Sequence, residues 1–332
     1  MVASPTEIAD EDAMSLKLSV MAVQQPNAIK SLVPVADLAR GKGAHALWMG
    51  QSFGIDAHAS FAYLAGAGYS IRVGMGVALT PLRHPYDAAL QVRSLLSLGL
   101  SHVTVAFGPG APEFSRAILG QPLARPVAHT EQYMSVVKQL LQTGGVQAPS
   151  ELFNIQGSMQ IVPAPEIEVG GGVLRPAMAA AVGRSGDVAV TWLAPPSYIA
   201  DRLIPAMIEN RPGGRTRPRV VAIVPVAVAR PGRTARVLAR AAVERHLSGS
   251  HYVSMLKQAG LEMHEKDAMR NIAEVLEHDV FVYGTPAKII SALARYEDAG
   301  VDEIVLSTVG VGNAIGLEDA VQDLRLILAA NQ

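Results

Sequence analysis

The sequence predicts a parallel (β/α)8 barrel with insertions after its fourth and seventh strands. Three observations point there. Short Val/Ile/Leu-rich runs alternate with helical segments eight times along the chain. The runs lack strict apolar–polar alternation, as strands covered on both faces do. Eight such units also fit a chain of 332 residues with room left for insertions. The competing architecture is an open doubly wound sheet. It needs a glycine fingerprint after the first strand, and "AVQQPNAIK" has none.

The first strand is Leu16–Val23, followed by a helix with Asn27 placed to cap it and Gly41 near its end. The second strand is "HALWM", leading through "GQSFGID" into an Ala-rich helix. The third is Ser70–Leu79, and its helix starts with Pro85 in the first turn, where a missing N–H costs nothing. The fourth is His102–Phe107, then a helix ended by glycine at "TGG". A polar stretch of about 146–163 with alternating apolar positions predicts a β-hairpin insertion. "EIEVGGG" is the fifth strand, "GDVAVTWL" the sixth and Arg219–Ala229 the seventh. A helical insertion of about 233–278 follows, expected to cover the pocket with Arg245, His246, His251 and Tyr252 facing it. Thr285 caps the next helix, which has Pro286 at its first position and Gly300 at its end. "DEIVLSTV" is the eighth strand, and "LEDAVQDLRLILAA" closes the chain. Residues 1–13 read as a flexible leader, and 14–332 as one domain.

Composition narrows the function. A net charge of −1 without a basic block argues against nucleic acid or an anionic membrane as the partner. With no cysteine, there is neither a thiol nucleophile nor a cysteine metal site. The nine histidines do not cluster, so no metal site is expected. The leader has no apolar core, and no run approaches the length of a membrane span, so a cytoplasmic protein is expected.

Barrel chemistry sits at strand C-terminal ends. There, Trp48 with Gln51 and Ser52 suits a flat ring with hydrogen-bonding edges. Gly76 inside the third strand predicts a bulge or a close backbone approach. His84 is a candidate base, or the cap of the helix that begins beside it. Gly108 and Gly110 frame a rigid turn. Gly170, Gly171 and Gly172 lead into a helix at "VLRPAM", which predicts a phosphate cradle. A phosphate cradle and a ring site, without a metal or nucleophile motif, point to a borrowed cofactor.

These pieces together resemble the bacterial-luciferase-like oxidoreductases. The resemblance is carried by "LWMGQSFGIDA", "IRVGMGVALTPLRHPYDAALQVRSL", "HVTVAFGPG", "VGGGVLRPAMAAAVGRSGDVAVTW" and "VYGTPAKIISALARYEDAGVDEIVLS", in that order. It is closest to the branch using the deazaflavin coenzyme F420. It implies a homodimeric barrel with a non-proline cis peptide at Gly76–Val77 under the ring. It also implies cofactor contacts at Trp48, Gly76, Val77, Ala78, Gly108, Gly110, Gly170, Gly171, Gly172 and Val173. Several relatives of that branch carry an Asp-His pair where this chain has Gln51 and Ser52, and an acid where it has Ala111.

The loss of both acid/base groups argues against alcohol oxidation. The reading that follows is a reductase using reduced F420. It delivers hydride to a polarised C=C or C=N bond of a small molecule or modified peptide, with secondary metabolism as the expected setting. Gln51, Ser52 and His84 are its candidate catalytic groups. A monooxygenase using reduced FMN is the second reading, and a non-catalytic ligand-binding barrel the third.

Overall fold

A computed structural model describes residues 16–23, 29–41, 43–150, 152–161, 167–264 and 267–332. The expected leader lies outside them. The described residues form eleven strands: β1 (Leu18–Met21), β2 (Leu47–Met49), β3 (Arg72–Leu79), β4 (His102–Gly108), β5 (Gly145–Pro149), β6 (Asn154–Ser158), β7 (Ile167–Gly172), β8 (Val188–Trp192), β9 (Arg219–Val228), β10 (Val282–Gly284) and β11 (Glu303–Ser307).

Eight of them close a parallel barrel in the order β1-β2-β3-β4-β7-β8-β9-β11, with β11 returning to β1. They are the eight strands expected from the sequence. β5 and β6 form a separate antiparallel hairpin, and β10 extends the sheet beyond the barrel by pairing with Val226–Val228 of β9. β9 can serve both neighbours because it is long: its first half pairs with β8 and its middle with β11.

Parallel strands need a crossover, and helices supply it. Their ends carry the expected chemistry. Asp56 accepts the Ala59 amide at 3.1 Å, and Thr285 accepts that of Lys288 at 3.3 Å. The Asp56 carboxyl is held well below the usual range, first by His58, then by the Ala59 amide and Arg83. Among the described residues, no helix is long and apolar enough to cross a membrane.

Two apolar layers result. One lies between barrel and helices. The other fills the barrel with Ala46, Trp48, Ala106, Val188, Val190, Val221, Ile223 and Val305. Beneath that plug, at the strand N-terminal ends, sits a buried polar network. Glu303 accepts from Ser19 (2.6 Å), Trp48 Nε1 (2.7 Å) and Arg219 (2.5 Å). Arg219 also makes a two-pronged contact with Glu168, at 2.8 and 2.5 Å. Burial raises the Glu168 carboxyl, but the bonds from His102, Arg219 and Thr104 outweigh it and hold it well below the usual range. Buried charge is tolerated here because each partner is satisfied. A cavity of about 140 Å³ beside this network is lined by Lys17, His45, Arg72 and His102 among others. It opens at the end of the barrel opposite the strand C-termini, which in this architecture serves stability rather than catalysis.

The helical insertion contains helices Ala235–Leu247, Ser250–Gln258 and Ala268–Glu277. Its entrance is fixed by Arg233, which pairs with Asp319 and fully buried Asp323 of the last helix.

Candidate active site

The strand C-terminal mouth is built around Val77. The Gly76–Val77 peptide is cis, at the position the resemblance implied. The β3–β4 register slips between Gly76 and Ala78, so Val77 stands out of the ladder as a bulge. Its side chain lodges between two strands that carry no side chain there. A Cβ at Gly172 would lie 2.7 Å from Val77 Cγ1, and one at Gly108 would lie 3.0 Å from Cγ2. Gly76 is constrained from below, where a Cβ would lie 3.1 Å from both Ile223 and Val190. Val77 thus becomes a half-buried apolar platform on top of the barrel plug, ringed by bare backbone.

Gly170 and Gly171 do a different job from the one expected. They lie within β7 and pair with β4 on one side and β8 on the other. A Cβ at Gly170 would lie 1.7 Å from the Val188 carbonyl oxygen, and one at Gly171 2.8 Å from Val182. They are glycines because the sheet and its covering helix approach too closely for a side chain. Val173 is buried, and its amide donates to the Val190 carbonyl at 2.8 Å. Strand pairing thus occupies the backbone of Gly170, Gly171 and Val173, so of the phosphate cradle expected at Gly170–Val173 only half-buried Gly172 stands at the mouth. The helix that follows, Pro176–Ser185, begins further on, where exposed Arg175 precedes Pro176 and its carbonyl takes the Met178 and Ala179 amides, each at 3.1 Å.

Trp48 is also corrected. It is 1% exposed and points down the barrel, with its indole N–H on Glu303. A Cβ at Gly74 would lie 2.2 Å from that indole, so the neighbouring glycine makes room for it. Trp48 is part of the core and does not reach the mouth. His84 is exposed, and its Nδ1 accepts the Tyr86 amide at 3.3 Å, capping helix Pro85–Ser97. That commits the ring atom a base would use.

Gln51 and Ser52 follow β2 at the mouth. Gln51 donates to the Ser52 carbonyl at 2.8 Å, and Ser52 Oγ accepts the amides of Gly54 (3.1 Å) and Ile55 (3.4 Å). Both side chains shape the loop. Ser52 keeps only its hydroxyl proton to donate. At the rim, Phe53 of this loop meets Phe114 at 5.8 Å between ring centroids, joining the loops after β2 and β4. Gly110 turns the β4 loop with a φ of +71°. Ala78, 9% exposed, pairs with Phe107.

The opposite wall was not singled out in the sequence as a whole. Trp192, the last residue of β8, packs on the same barrel plug as Val77. His246 meets it with ring centroids 5.4 Å apart, Tyr252 stands edge-on to His246 at 5.2 Å, and His251 follows at 4.5 Å. Arg175 donates to the His251 carbonyl at 3.3 Å, tying the insertion to the loop after β7. The insertion therefore does pack over the strand C-termini at β7 and β8. Of its four residues expected to face the pocket, Arg245 points to solvent instead. Burial, then the charges of His251 and Arg245, lower His246 to about 4, so its imidazole is neutral. Burial pushes the Tyr252 hydroxyl up to about 12. Among the described residues, no group of three His, Cys, Asp or Glu is placed to hold a metal.

The chain belongs to the luciferase-like monooxygenase family, whose pattern matches residues 13–303. It is thereby an oxidoreductase. A protein of Mycobacterium tuberculosis (strain H37Rv), whose name places it among coenzyme F420-dependent oxidoreductases, is 24% identical over 127 residues. That match spans 38% of this chain and 36% of the relative's length. Among solved structures, an F420-dependent secondary alcohol dehydrogenase bound to an F420–acetone adduct superposes with a TM-score of 0.73 at 17% identity, covering 96% of this chain and 100% of that one. EDTA monooxygenase from Chelativorans sp. BNC1 superposes at 0.70 and 15% identity, covering 96% and 93%. At these identities the likeness is one of fold.

Proposed function

We propose that this protein is a reductase that uses reduced coenzyme F420 to reduce a polarised C=C or C=N bond. The observation that carries the reading is the Val77 platform between Gly108 and Gly172. A flat, largely apolar ring fits against a side chain flanked by bare backbone, whereas Cβ atoms on either side would crowd it. The F420-named relative and the F420-bound neighbour support the choice of cofactor.

Bound there, reduced deazaflavin would supply a hydride. The chain's own residues orient and solvate. Val77 would support the ring, with the 51–55 loop on one side of the mouth and Trp192 with His246 on the other. Arg175 at the rim, with one guanidinium N–H on the His251 carbonyl and others to spare, would be the cation that meets a cofactor phosphate. Neutral groups line the wall, and Gln51 and Ser52 stand after β2 in place of an acid and a base. That suits an acceptor whose developing charge is met by hydrogen bonds and whose proton comes from water. Alcohol oxidation would need a base to take the hydroxyl proton.

Titration of the purified protein with reduced F420 and, separately, reduced FMN tests the reading. Tight binding of F420 alone is expected. Preference for FMN with oxygen uptake would make the protein a monooxygenase, the reading that the EDTA monooxygenase neighbour supports.

A further inference from the structure

Among the described residues, Trp192 Nε1 and His246 Nδ1 are buried at the mouth without a hydrogen-bond partner, as are a few other side-chain atoms of the chain, but these two belong to rings in contact. A buried donor or acceptor left unmade is costly, so a pair of them side by side is unusual in a finished core. They come from distant parts of the chain, one from the end of β8 and one from the insertion, and their rings are 5.4 Å apart. Rings in contact bring the two nitrogens to one place on the wall. The wall around them is aromatic, with Tyr252 edge-on to His246. Trp192 rests on the same plug as Val77, so the pair stands beside the platform proposed for the ring.

The chemistry of the two atoms restricts what they take. Indole N–H donates only, so Trp192 requires an acceptor. A neutral imidazole offers one donor and one acceptor, and buried surroundings keep it neutral. The nearby cations, Arg175 and Arg245, are exposed at the rim, and Arg175 is engaged by the His251 carbonyl. A carboxylate or phosphate pushed between Trp192 and His246 would lose its water without gaining a buried countercharge. A neutral amide or imide has the right complement: its C=O accepts from Trp192, and its N–H or second C=O meets His246. We propose that Trp192 and His246 are the substrate-recognition pair, and that the substrate carries an uncharged amide-like group conjugated to, or adjoining, the bond that is reduced. This inference rests on the reductase reading for what happens next to that group, but not for the binding itself.

The two tryptophans make the test direct. With 15N-labelled tryptophan, the protein gives two indole N–H resonances, one from Trp48 on Glu303 and one from Trp192. Trp48→Phe assigns them. Succinimide is then titrated in without any cofactor. The expected result is a downfield shift of the Trp192 resonance alone, with the Trp48 resonance unmoved as an internal check of folding. N-methylsuccinimide, which keeps the carbonyls and loses the N–H, should bind about tenfold more weakly, as should succinimide to His246→Leu, each having lost one hydrogen bond. No shift of Trp192 in folded protein overturns the proposal. So does a larger shift with succinate than with succinimide, which would mark an anion site. Because cofactor titration is a separate measurement, loss of F420 binding would sink the reductase reading and leave this one standing.

Discussion

Val77 occupies the space that Gly172 leaves empty: a Cβ at 172 would lie 2.7 Å from Val77 Cγ1. The two residues are on β3 and β7, with β4 and its own glycine, Gly108, between them. One side chain from one strand thus dictates the residue type on two others.

That relationship separates the glycines by role. Gly172→Ala should overpack the mouth, costing about 1–3 kcal/mol and tilting Val77 out of place. The protein should remain folded by circular dichroism and bind reduced F420 at least about tenfold more weakly. Gly170→Ala should behave differently. Its methyl would meet the Val188 carbonyl at 1.7 Å inside the sheet, with no flexible neighbour to yield. Loss of soluble folded protein is expected there, not a selective binding defect. Equal behaviour of the two variants would refute the assignment.

Trp48 and Glu303 test the other end of the barrel. Trp48→Phe removes a hydrogen bond to a carboxylate and should cost about 1.5–3 kcal/mol in urea unfolding. Glu303→Leu leaves Arg219 with one carboxylate, Glu168, and strands the Trp48 and Ser19 donors, so a loss of about 3–5 kcal/mol is expected. Both changes remove a bond made at the strand N-terminal end of the barrel, so F420 affinity should be unchanged in whatever fraction stays folded. A binding defect in Trp48→Phe without a stability defect would return Trp48 to the cofactor site.

The pH dependence of stability has a defined window. Burial lowers His45 and His246, each to about 4, against an ordinary value of 6.5. Between those values the unfolded chain holds more protons than the folded one, so stability falls as pH falls. The depressed carboxyls Asp56 and Glu168 contribute nothing to that loss. Their contribution is fully present above their ordinary values of 3.8 and 4.5, and drains only below them. Urea midpoints should therefore decline from pH 6.5 to pH 4.5, and His246→Phe should flatten the decline. A flat profile for the native chain across that interval would show that these imidazoles titrate normally.

How legible all this was in the sequence depends on range. The barrel strands could be read because each is a local run of Val, Ile and Leu, and the alternation with helices is repeated eight times. β10 was not readable: three residues, "VYG", look like the approach to the Thr285 cap. The Gly170–Gly172 run is legible as the end of the fifth strand, but a bare run does not say what crowds it. What keeps it extended is the Val188 carbonyl, a tertiary contact. Trp48 was placed on the right strand but at the wrong end, since a long side chain lets a residue near a strand's C-terminus reach a layer below. Gly108 and Gly172 stand out in the sequence as glycines, but their common cause, the Val77 side chain, is a packing fact that no local run reveals. The Trp192–His246 pair was half visible. His246 was noted on the insertion, but nothing in "VAVTW" says which distant helix will fold over it.

His84 offers a sharp choice between capping and catalysis. Its ring accepts the Tyr86 amide at 3.3 Å from an exposed position, and Pro85 follows as the first residue of the helix. A cap of this kind contributes about 0.5–2 kcal/mol. His84→Ala should therefore lower the unfolding midpoint without changing the pH profile of turnover, because the only bond lost is to the helix backbone. His84→Asn should restore most of that stability, since asparagine is among the best N-cap residues and cannot titrate. Turnover measured on the three proteins then decides the matter. If both variants lose activity alike while Asn recovers stability, the imidazole acts on the substrate. If activity is retained in both, the cap is its whole role, and the proton for the reduced bond comes from solvent.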